Sequence, residues 1–99
     1  PTVVAVSAFE AANDDKSVRV TALRALGIVA PRGGEPAATM ALACMGDAKA
    51  ELRVAAILAL GRLVPRGHPC LRLLLELLSD GDEDTRAASA MALGQLSPL

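Results

Sequence analysis

Three arginines, Arg19, Arg53 and Arg86, stand 34 and then 33 residues apart, each a few positions after an acidic turn. The turns read Asn13-Asp14-Asp15, Gly46-Asp47 and Asp80-Gly81-Asp82. A guanidinium is always charged and offers donors in a planar fork, so it can hold either an anionic partner or an acceptor within the fold. Recurrence at one register favours an internal acceptor that repeats along the chain. The other reactive residues form no catalytic set. Cys44 and Cys70 are the only cysteines and His68 the only histidine, which gives almost no support to a zinc or di-iron site and makes His68 a solvated loop residue. No Ser/His/Asp set is discernible, and Arg32-Gly33-Gly34 lacks the context of a phosphate-binding loop. The chain therefore reads as non-catalytic, with no catalytic, cofactor-binding or metal-binding residues.

The arginines sit inside a larger recurring unit: VRVTALRALG from Val18, LRVAAILALG from Leu52 and TRAASAMALG from Thr85. Fixed-period self-similarity means that one supersecondary unit is stacked on copies of itself. With the three copies aligned, Val6, Met40 and Leu73 share a register, as do Val29, Leu63 and Leu96. Each repeat then holds two helices. The first helices fall at about 2–12, 36–45 and 69–78, and the second at about 16–29, 50–64 and 83–96. Leu52, Ala56, Ala59, Leu60 and Leu63 follow helical spacing and predict one apolar stripe facing the first helix of the same repeat. Gly27, Gly61 and Gly94 recur at one register inside the second helices, where glycine costs about 1 kcal/mol relative to alanine, and so predict close approach of a neighbouring helix.

Turn chemistry agrees with this division. Side-chain oxygens of the acidic turns can cap the helices that follow. Between repeats, Pro31-Arg32-Gly33 and Pro65-Arg66-Gly67 cannot continue a helix, and Pro36 and Pro69 suit the first turn of the next. Pro98 shares the register of Pro31 and Pro65, and the chain opens on Pro1 without a signal-peptide pattern. The expectation is a single domain, 1–99, with repeats at about 1–33, 34–67 and 68–99, forming part of a longer array.

Composition sets further limits. The chain is 53% hydrophobic, almost all of it Ala, Leu, Val and Met, with Phe9 the single aromatic residue; these helix formers predict an all-α fold. A net charge of −1 and the lack of Trp and Tyr argue against nucleic acid as partner. No stretch reaches the roughly 18 to 20 apolar residues of a membrane span. Register places Cys44 about 10 Å from Cys70, beyond the reach of a disulfide. Two buried, unbridged thiols suit a reducing intracellular compartment, cytoplasm or organelle stroma.

The acidic turn followed by V/L/T-R-x-x-A/S-x-x-A-L-G resembles the HEAT-like repeats of phycocyanobilin-lyase-type proteins and of many scaffold proteins, over essentially the whole chain. The tetratricopeptide aromatics and the ankyrin TPLH signature are missing. The resemblance implies a right-handed α-solenoid of three two-helix repeats, six helices in all. It also implies a hydrogen-bonded ladder of Arg19, Arg53 and Arg86 with Asp14 or Asp15, Asp47, and Asp80 or Asp82. Thr85 and Ser89 stand where the family prefers Val and Ala, which predicts looser packing of the last repeat.

The second faces of the second helices offer the candidate partner surface. Val20, Val54 and Ala87 align there, as do Arg24, Leu58 and Met91, with Arg62 alongside. Exposed, Leu58 and Met91 would form an apolar patch flanked by arginines. The expected function is a protein-protein interaction scaffold, or a structural subunit assembled through its terminal repeats; the alternative is an accessory subunit of a bilin lyase or another chromophore-handling enzyme.

Overall fold

The computed structural model describes residues 16–29 and 35–97, and every regular element among them is helical. Five helices follow in order: α1 (Lys16–Val29), α2 (Glu35–Cys44), α3 (Ala50–Leu63), α4 (Leu71–Leu77) and α5 (Glu83–Leu96). The helix expected at about 2–12 lies outside the described residues.

Local chemistry explains most of the boundaries. Asp82 caps α5, its carboxylate accepting the Thr85 N–H at 2.8 Å, and Glu83 and Asp84 place negative charge in the first turn where the helix dipole favours it. Val64 and Ser97, the residues after α3 and α5, are extended because each precedes a proline. Gly67 then turns the chain with φ of 78°, a left-handed value that glycine adopts without strain, and its N–H donates to Leu96 O at 2.8 Å. That bond ties the loop after α3 to the end of α5.

Two boundaries depart from expectation. Pro36 is the second residue of α2, whereas Pro69 stays in a turn ahead of the short helix α4. There His68 Nδ1 accepts the Cys70 N–H at 3.0 Å, and Leu71 N–H and Arg72 N–H donate to His68 O and Pro69 O, the three-residue spacing of a turn. His68 is accordingly half-buried and structural, not a solvated loop residue.

Helices α1, α3 and α5 form one layer, with α3 between the other two; α2 packs on α3, and α4 on α5. The molecule measures 34 × 28 × 16 Å, thin enough for two layers of helices. Central placement buries α3 on more than one side: Ala55, Ile57 and Gly61 are buried as well as Leu52, Ala56, Ala59, Leu60 and Leu63. The single-stripe expectation thus fails, because a helix flanked on both sides must be apolar on more than one face. Ala59, assigned to that stripe, instead faces α1. A Cβ on Gly27 would stand 3.1 Å from Ala59 Cα.

Thr85 and Ser89 are fully buried, so the last repeat is not loosened by its hydroxyls. Each is satisfied: Ser89 Oγ donates to Thr85 O at 2.9 Å, and Thr85 Oγ1 to Asp82 Oδ2 at 2.8 Å. Cys44 and Cys70 are both buried and form no disulfide. Burial pushes the Cys70 thiol above its ordinary value, opposed in part by a hydrogen bond to backbone, and leaves it little thiolate near neutrality.

The three in-register glycines differ in surroundings. Gly27 abuts backbone of α3; Gly61 faces Ala92 Cα at 3.4 Å and the Gln95 side-chain amide; Gly94 has nothing within 4 Å. Gly27→Ala should therefore destabilise the fold, and Gly94→Ala should stabilise it by up to about 1 kcal/mol. Gly61→Ala should fall between them, since the end of Gln95 can swing aside. Urea unfolding of the three variants tests this, and equal effects at all three positions would contradict it.

Candidate functional site

Contacts between like ends of the second helices, Gly27 with Ala59 and Gly61 with Ala92, show that α1, α3 and α5 run parallel. Side chains of the same register therefore form rows across the layer. One face of these rows is open. It holds a groove of ≈ 340 Å³ over Glu51, Val54, Leu58, Asp84, Ala87 and Met91. A second depression adjoins it over Ile28, Arg62 and Gln95, and Arg24, Leu58 and Met91 line both, so the groove is continuous.

Apolar side chains line much of it. Val54 and Leu58 are half-buried, Met91 is 60% exposed and Ile28 is 74% exposed. Arg24 and Arg62 are exposed beside them. Val20, assigned to this face from its register, is only 8% exposed and belongs to the core. Ile28 is the reverse case. It shares its register with Arg62 and Gln95, so the period of 34 and 33 residues carries the signal for it.

At the N-terminal ends of the second helices, Arg53 joins successive turns. Its Nη1 donates to Asp47 O at 2.9 Å and Ala48 O at 3.3 Å, and its Nη2 to Asp80 Oδ2 at 3.2 Å and Thr85 Oγ1 at 3.4 Å. Only 15% of the Arg53 side chain is exposed. Its Nε is buried without a hydrogen bond, a desolvation cost that these charge-assisted contacts offset. Arg86 repeats the contact within its own turn, donating from Nη1 to Asp80 O at 2.7 Å. Arg19 lies half-buried on α1, while Asp14 and Asp15 fall outside the described residues.

The acidic turns divide their work in a way the residue types alone do not reveal. Asp47 Oδ2 accepts the Lys49 N–H at 2.8 Å and Asp80 Oδ2 the Asp82 N–H at 2.9 Å, so both close the same two-residue turn. Asp80 also takes the Arg53 guanidinium. Asp82 is a helix cap and, among the described residues, receives no arginine hydrogen bond: its carboxylate is held by the Thr85 hydroxyl and N–H. The hydroxyl bond, then the N–H bond, draws its ionisation below the usual 3.8, and the charges of Arg53 and Arg86 add to this.

Among the described residues, no group of three His, Cys, Asp or Glu side chains could hold a metal ion, and no helix is long and apolar enough to cross a membrane. The family model described as HEAT repeats matches residues 38–98, more than half of the chain. Neither a curated protein nor a solved structure matches it.

The depressed ionisation of Asp82 has a consequence for acid stability. A carboxylate favoured in the folded state contributes stability that is present above its unfolded value, near 3.8, and is lost as pH falls through the lower folded value. Asp82→Ala should lower the thermal midpoint at neutral pH, and the gap from wild type should close in strong acid. Melting curves across pH measure this; a gap that stays constant from neutral to strongly acidic pH would exclude it.

Proposed function

The chain belongs to the HEAT-repeat family, and from this we propose that it is a non-catalytic protein-binding scaffold whose working surface is the groove along α1, α3 and α5. HEAT repeats generally serve as protein-interaction scaffolds. We infer the finer architecture to be one domain, 1–99, built as a right-handed α-solenoid of three two-helix repeats. In that arrangement the segment at about 2–12 supplies the first of six helices.

The observation that carries the reading is the exposure of Met91 and Ile28, with Leu58 between them, on a surface whose supporting residues are fully buried. Leu23, Leu26, Ile57 and Leu60, on the same helices, are fully buried. A rigid scaffold loses little conformational freedom on binding, and apolar side chains flanked by exposed arginines suit a protein partner. The ladder residues Arg19, Arg53 and Arg86, with Asp15, Asp47 and Asp80, would act by fixing the spacing of the helices, not by touching the partner.

A second reading, assembly through the far side of α5, has an observation of its own. Leu23 and Ile57 are fully buried between neighbouring second helices, but Ala90 at the same register is exposed, and Gly94 faces open space. In the first-helix layer Met45 is 4% exposed and its counterpart Leu78 38%. A second copy would meet this face head to tail, since Ala25 shares the register of Ala59 and Ala92, which cover Gly27 and Gly61.

Leu58→Glu with Met91→Glu should abolish partner capture, measured as proteins retained by wild type and lost by the variant, with circular dichroism unchanged. Identical capture profiles would refute the groove as working surface. For assembly, sedimentation should show concentration-dependent association that Ala90→Glu removes, and a wild-type monomer at every concentration would refute it.

A further inference from the structure

The groove is electrically asymmetric along its length, and this selects a class of partner. Its rows run in tiers. Glu51 and Asp84 occupy the first tier, Val54 and Ala87 the second, Arg24, Leu58 and Met91 the third, and Ile28, Arg62 and Gln95 the fourth. Among the described residues, the carboxylates of the groove, Asp82 included, lie at the end formed by the helix N-termini, and none lies at the opposite end, where Arg24 and Arg62 stand. Acidic residues at helix N-termini and a basic residue in the last turn of α3 are what the helix dipole favours. The same placement divides the groove into an acidic end, an apolar middle and a basic end.

We propose that the occupant is an amphipathic helix of about three turns, acidic in its first turn and basic in its last, lying antiparallel to α3. This rests on the scaffold reading above and adds the partner's chemistry to it. Length follows from the tiers: Glu51 and Arg62 stand eleven residues apart on α3, about 17 Å at 1.5 Å per residue. Apolar residues of the antiparallel partner at i, i+3 or i+4, and i+7 meet Ile28, then Leu58 with Met91, then Val54.

Direction follows from charge. Acidic side chains of the partner belong over Arg24 and Arg62, which lie toward the C-terminal ends of α1 and α3; basic side chains belong over Glu51 and Asp84. A helix is most stable with acids in its first turn and bases in its last. The partner that satisfies both demands runs opposite to α3, so its own dipole also opposes those of the layer beneath. A uniformly charged segment would satisfy only part of this surface, because one end of the groove repels either sign of charge.

The test uses three fluorescein-labelled peptides with the same apolar face and the purified full chain. The first carries Glu in the first turn and Lys in the last, the second Lys at both ends, and the third Glu at both. Fluorescence anisotropy should give the mixed peptide about tenfold tighter binding than either of the others, the sum of several exposed charge pairs. Arg24→Glu with Arg62→Glu, both at exposed positions, should move the preference to the Lys-only peptide with circular dichroism unchanged. Equal affinities for the three peptides, no binding by any of them, or a ranking indifferent to the arginine reversal would overturn the proposal. The scaffold reading is judged separately, by whether Leu58→Glu with Met91→Glu changes partner capture.

Discussion

Close contact between parallel helices is the constraint on which the molecule depends. Gly27 lets the backbone of α3 approach α1, and Gly61 lets α5 approach α3 in the same way. A glycine within a helix is unfavourable by itself, so its recurrence is explained by what the approach brings together. Leu23, Leu26, Ile57 and Leu60 are fully buried around these contacts. Each helix has apolar surface that only its neighbour can remove from water, and stability is therefore a property of the stack more than of any one helix.

Polar bonds then set the register that apolar packing leaves loosely defined. Leucine and alanine surfaces tolerate small sliding, whereas a charged fork that meets two carbonyls and a carboxylate does not. Arg53 bonds the turn ahead of its own helix and the turn ahead of the next, which fixes α3 against α5 along their axes. Thr85 enters the same network from within the core. Its hydroxyl lies between Asp82 and Arg53, so a residue whose type suggested weaker packing instead links the cap of α5 to the arginine before it. The Gly67 bond to Leu96 O performs a similar service at the opposite end of the helices.

Function is proposed for the surface that this rigidity leaves uncovered. Neighbouring second helices hide the sides of α3 but not the face bearing Val54, Leu58 and Arg62. Because the helices are parallel and in register, like positions form rows, and the chemistry of a row is that of three residues read across the sequence. The polarity of the groove is thus written in positions 33 or 34 apart, although no local segment displays it.

The spacing of the repeats determined a good deal alone. A period of 34 and 33 residues with Ala, Leu and Gly at fixed places is legible because helical packing demands the same residue types wherever the same contact recurs. The bounds of α1, α3 and α5 followed from that, within a residue. Single positions were less legible wherever burial depends on which neighbour is present. Val20 and Ile28 are both β-branched residues on one helix, yet one is core and the other lies open in the groove. Asp80 and Asp82 are two residues apart and chemically alike, yet one holds an arginine while the other caps a helix. His68 gave no sign of the hydrogen bond it accepts from the Cys70 N–H. Sequence determined the repeating unit, since periodicity is a property of the chain itself. The tertiary structure decided which side of each unit stays exposed and which partner each polar atom takes, because both depend on distances between residues that are far apart in the chain.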